Sequence, residues 1–162
     1  MLILGVCNPA GEECTYNGLY LKQDELQGLV ASRAMVGVPV KAEHSGQSVG
    51  TVVSTFLRED GALQCVMDVP EDSVRSSLAG GFVRDGVAAE LSLGYTVDVA
   101  HSEGVDAGEQ KLTAGQKRVL EVSLVRKGAR KGCHILAYQD EGKPMVRLAR
   151  GSDAWAAFDL GV

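Results

Sequence analysis

"VPVKAEHSGQSVGTVVSTFLREDGALQCVMDV", residues 38–69, decides the fold class of this chain. Val38, Val40 and Ala42 alternate with Pro39, Lys41 and Glu43, the period-two pattern of a half-buried strand. "VGTVVSTFL" and "ALQCVMDV" follow as two more apolar runs of strand length, and Asp60-Gly61 between them is a strong hairpin signal. His44 stands where the first run ends, just before Ser45-Gly46, which reads as a small polar turn.

The same signature recurs on both sides of this stretch. "LILGV", "GLYL", "AAELSLGYTVDV", "KRVLEVSLV", "CHILAY" and "PMVRLA" read as further short strands, and 20 glycines suit a curved, closing sheet better than a helical bundle. Three stretches read as helices. "LKQDELQGLVASRAM" places Leu26, Leu29, Val30 and Arg33 at helical spacing with acids early. "PEDSVRSSLAGGFV" opens on Pro70-Glu71-Asp72 and sets Val74 and Leu78 on one face, and "SDAWAAFDL" caps on Ser152 and buries Trp155 and Phe158. The expected architecture is a single domain over residues 1–162, mostly β, a closed or nearly closed β-barrel with a few peripheral α-helices.

An apolar fraction of 45% with 23% charged residues predicts a packed core rather than disorder. A net charge of -5 argues against a broad nucleic-acid surface, and 5% aromatics leave few platforms for stacked bases. No apolar run approaches the roughly 20 residues of a membrane helix. The opening "MLILGVCNPAGEEC" lacks a basic region, so no secretory signal is expected. Cys7, Cys14, Cys65 and Cys133 lack the close pairing of a zinc site. Cys65 and Cys133 read as core-strand thiols, which fits a reducing compartment.

Three places in the chain could carry chemistry. In "AAELSLGYTVDV", alternation puts Glu90, Ser92 and Gly94 on one face, so the serine has open space beside it. It reads either as a solvated strand serine or as a nucleophile; a lipase-type elbow would require glycine where Glu90 stands. In "KRVLEVSLV", Glu121 is either solvated or buried against a partner, and a buried carboxylate needs a hydrogen-bond donor or cation. His44 would be such a partner, donating Nδ1–H to Glu121 while Nε2 takes the proton of Ser92. "RKGARKG", residues 126–132, reads as a basic hairpin end or as an oxyanion site in which Gly128 allows a sharp turn.

These stretches, in this order, resemble one family. Residues 38–69 are similar to the region around the first catalytic histidine of the herpesvirus capsid-maturation proteases, the assemblins. "ELSLGYTV" resembles the nucleophile strand that assemblins share with tailed-phage prohead proteases. "LEVSLVRKGARKG" combines a phage-like "EVSLV" with a "GARKG" similar to the assemblin loop. The resemblance runs from about Gly18 to about Tyr138.

It implies a serine endopeptidase that cuts scaffold or internal capsid proteins, and its own precursor, during capsid maturation. Ser92 would be the nucleophile, His44 the general base and Glu121 the third member, standing where assemblins place a second histidine. The backbone N–H of Ala129 and the side chain of Arg130, through a water, would hold the oxyanion. Asp98 and His101 are alternative third members, and His134 reads as a packed or rim residue. The resemblance implies no cofactor and no metal. It implies a procapsid location within the host cell rather than secretion, a substrate with a small residue before the cut, and partners limited to scaffold peptides and a second copy of the chain, without membrane or nucleic acid. The competing reading is an inactive capsid-assembly or scaffold domain that retains the protease fold.

Overall fold

The computed structural model describes residues 1–11, 21–97, 105–106, 109–110 and 117–148. Strand β1 (Leu2–Asn8) is followed by helix α1 (Gln23–Ala31), then β2 (Pro39–Ala42), β3 (Ser45–Leu57) and β4 (Leu63–Asp68). Helix α2 (Val74–Arg84) leads into β5 (Glu90–Val97), the short β6 (Val105–Asp106) and β7 (Glu109–Gln110), then β8 (Lys117–Val125), β9 (Ile135–Gln139) and β10 (Val146–Arg147). Eight strands form one sheet in the order β10-β9-β1-β4-β3-β2-β8-β5, and β6 pairs with β7 apart from it. Every neighbouring pair of the large sheet is antiparallel except β2 and β8, which run parallel.

The sheet curls into a half-barrel and does not close, against the closed or nearly closed barrel expected from the sequence. Residues 133–135 touch the start of β5 through the Glu90–His134 bridge and the bonds Leu91 N–H to Cys133 O and Ile135 N–H to Ala89 O. That contact ends there. From Ser92 onward no described strand pairs with the outer edge of β5, so the ladder that closure requires is missing.

Asp60-Gly61 forms the β3–β4 hairpin, with Gly61 at φ 88° and Arg58 N–H bonded to Ala62 O at 2.9 Å. The β2–β3 connection differs from the sequence expectation. Ala42 pairs with Ser45, so the turn is Glu43-His44 itself, and Ser45-Gly46 already belongs to β3. Both turn residues have positive φ, 51° and 57°, as a two-residue hairpin loop of primed type demands. Neither is glycine, so each holds a backbone conformation that costs free energy.

Helix α1 presents Leu26 and Leu29 to the core and ends at Ala31; Arg33, expected inside the helix, lies beyond it at φ 55°. Helix α2 starts after Ser73, whose side chain accepts the Ser76 N–H, rather than at Pro70. Its buried face is Ser76, Ala79, Gly80 and Val83, which corrects the expected face: Val74 is 81% exposed and Leu78 points outward with it. The small residues let the helix lie close, and Glu71 crosses directly over Gly80. Cys7 and Cys65, on the neighbouring strands β1 and β4 with Cα atoms 6.4 Å apart, form a disulfide. The reading of Cys65 as a core thiol missed this pairing because β1 and β4 are far apart in sequence. "GLYL" and "SDAWAAFDL" lie outside the described residues, apart from Leu21.

Candidate active site

Strand register brings the candidate residues to one face. Across β5 and β8, Ser92 pairs with Ser123 and Gly94 with Glu121; across β2 and β8, Lys41 pairs with Ser123. Directly opposed residues share a side of the sheet. Ser92, Gly94, Glu121, Ser123 and Lys41 therefore line one face, while Leu91, Val122, Leu124 and Val40 fill the core on the other.

Glu121, 8% exposed, gathers three partners. His44 Nδ1 lies 2.7 Å from Oε1, Ser123 Oγ donates to the same oxygen at 3.0 Å, and Lys41 Nζ donates to Oε2 at 2.8 Å. Burial alone would raise this carboxyl's pKa. The hydrogen bonds from Lys41, His44 and Ser123, together with the Lys41 charge, outweigh burial and hold it below the usual carboxylate range. Gly94 is needed beneath the carboxylate, since a Cβ there would lie 2.5 Å from Glu121 Cγ.

The Glu43-His44 turn aims the imidazole at this carboxylate from the end of β2. Glu43 accepts the Arg126 N–H at 3.0 Å, fastening the turn to the chain just after β8. With Nδ1 donating to a carboxylate, a neutral imidazole presents Nε2 as an acceptor. The His44 side chain is 46% exposed, so that nitrogen is open to an incoming group.

Ser92 is 5% exposed and makes no direct hydrogen bond to His44 in this structure. Ladder and side-chain contacts connect the two: Ser92 pairs with Ser123, Ser123 donates to Glu121, and Glu121 receives His44.

The 126–132 loop lies against β5 on both sides of Ser92. Gly128 N–H donates to Glu90 Oε2 at 2.6 Å, and Arg130 Nη2 donates to Tyr95 OH at 2.8 Å with its guanidinium 5.4 Å from the ring centroid. Glycine at 128 is required by close approach rather than by a sharp turn, because a Cβ would lie 2.6 Å from Leu91 O. The Gly128 amide is occupied by Glu90, whereas Ala129 is exposed. Arg130 is buried, with Nε lacking a partner.

No protein-family model and no curated protein sequence matches the chain. Among solved structures, the protease of Kaposi's sarcoma-associated herpesvirus bound to a hexapeptide phosphonate inhibitor aligns with a TM-score of 0.55 and 18% sequence identity, over 86% of this chain and 65% of that one. The fold is assemblin-like. A second structure of that viral protease, with an allosteric inhibitor, aligns with a TM-score of 0.49 and 16% identity, over 83% of this chain and 76% of that one. The chain thus spans less than two thirds of the length of the first protease it matches.

Within this assemblin-like fold, His44 and Glu121 meet directly, and Ser92 stands on the adjacent strand of the same face. Asp98 and His101 lie outside the described residues. His134 is half-buried, its Nδ1 2.8 Å from Gly132 O, and takes no part in the Glu121 cluster. Two members of the cluster escaped sequence reading. Ser123 was visible in principle, two residues from Glu121 on the same strand face. Lys41 was not, because its place depends on the parallel pairing of β2 with β8. Among the described residues, no three His, Cys, Asp or Glu side chains converge as a metal site.

Proposed function

We propose that this domain is a serine endopeptidase of the capsid-maturation kind, acting on scaffold or internal capsid peptides and on its own precursor inside the procapsid. The observation that carries the reading is the 2.7 Å contact between His44 Nδ1 and Glu121, on the face that also bears Ser92. The similarity of the fold to that of a viral protease supports it.

In this mechanism Ser92 Oγ attacks the scissile carbonyl carbon as its proton passes to His44 Nε2. The carbonyl oxygen becomes an oxyanion, held by the Ala129 N–H and by Arg130 acting through a water. The tetrahedral species collapses, the C–N bond breaks, and His44 returns the proton to the departing amine. Water then hydrolyses the acyl-enzyme through the same base. Glu121 stays ionised throughout, fixing the imidazole tautomer and stabilising the imidazolium.

The test is cleavage of a complex peptide pool, with new termini read by mass spectrometry for wild type and Ser92→Ala. The reading expects new termini following a small residue with wild type only. Equal products from both proteins, or none from either, contradicts it and favours the inactive scaffold domain.

A further inference from the structure

Beside the Ser123 bond to Oε1, the Glu121 carboxylate is held at both oxygens by residues from β2 and the turn that follows it. β2 delivers Lys41 to Oε2 at 2.8 Å, and three residues later the turn delivers His44 to Oε1 at 2.7 Å. A carboxylate bonded only at Oε1 could rotate about its last side-chain torsion, and the imidazole would move with it. Lys41 removes that freedom.

We propose that Lys41 is a positioning residue that anchors Glu121 and thereby holds the His44 imidazole in place; this rests on the reading of His44 as the general base for Ser92. Other described groups around the pair do not substitute for it. β8 contributes Glu121 itself and the neutral Ser123, and β5 contributes Ser92 and Gly94. The turn contributes Glu43, whose carboxylate is engaged by the Arg126 backbone at 3.0 Å and by its Nε at 3.4 Å. Lys41 is the one cation within ion-pair distance of Glu121 among the described residues, apart from His44 when protonated.

The experiment is the saturation kinetics with which a fluorophosphonate modifies Ser92 at neutral pH, in wild type, Lys41→Met and Lys41→Arg. Lys41→Met should slow the limiting rate about three- to tenfold with the half-saturating concentration unchanged, because the imidazole is no longer held in one place. Lys41→Arg, which can still pair with Oε2, should restore most of that rate. Lys41→Gln carries the same expectation as methionine should that variant fail to fold. An unchanged limiting rate in a variant still modified at Ser92 overturns the role of Lys41 and leaves the protease reading standing. Failure of the wild-type protein to react at Ser92 at any pH overturns the reading itself.

Discussion

Two charge networks in this molecule use carboxylates to different ends. At the C-terminus of α2, Arg84 is enclosed by carboxylates: Nη2 meets both oxygens of Glu71 at 2.7 and 2.8 Å and Oδ1 of Asp140 at 2.6 Å, and Nε meets Oδ2 at 3.2 Å. The bonds to Asp140 and Glu71 raise the guanidinium pKa, and the bond from Arg84 lowers that of Asp140. All these groups are partly solvated. At the candidate active site, burial is the largest influence on Glu121, and three donors are needed to overcome it. The Arg84 network closes on itself. The Glu121 network ends in an imidazole whose other nitrogen is left to act, with a serine one strand away. A closed network latches helix to sheet; one built on a buried carboxylate and ending in an exposed imidazole is suited to moving a proton.

If this contrast is sound, substitutions in the two networks should separate activity from stability. Glu121→Gln should cut turnover by about 10²- to 10⁴-fold, with KM changed little, because the amide cannot stabilise the imidazolium. Steady-state kinetics on a cleaved peptide decide this, and near-normal turnover would reduce Glu121 to a structural carboxylate.

The same residue gives a pH effect on stability. Its pKa in the folded protein lies below the unfolded value, so its contribution is complete above the unfolded carboxylate pKa of about 4.3 and is lost as pH falls through the folded value. Urea melts should show wild type more stable than Glu121→Gln at neutral pH, with the gap narrowing on acidification. A gap that is constant with pH would mean that the three donors do not favour the ionised form.

The smallest effect is expected at the other network. Arg84→Ala should lower stability by about 1 kcal/mol, since solvated ion pairs contribute little even when several meet. Its rate of fluorophosphonate modification should stay within a factor of two of wild type. A large loss of reactivity there would erase the distinction between latch and site.

How far the sequence reached depends on whether a feature is local. Alternation around Ser92 and Glu121 put each on the correct side of its strand, since side-chain direction is a property of the strand itself. Asp60-Gly61 marked its hairpin for the same reason. The Glu43-His44 turn was misread because Ser-Gly is the better turn pair by composition. The structure instead places two unfavourable residues at positive φ, with Glu43 fastened by Arg126. The buried face of α2 was misread because apolar residues were assigned inward; close packing chose Ala79 and Gly80 and left Val74 and Leu78 outside. Lys41, the Cys7–Cys65 pair and the open edge of β5 all depend on which distant strands become neighbours. That is not written in any local pattern.

The proposed function needs His44 to activate Ser92, although no hydrogen bond joins them in this structure. Its most direct test is fluorophosphonate modification at neutral pH, with the labelled peptide sequenced by mass spectrometry, in wild type and His44→Ala. A single adduct on Ser92 is expected, formed at least about a hundred times more slowly when His44 is alanine. An adduct elsewhere, or one on Ser92 that forms equally fast without the imidazole, contradicts it.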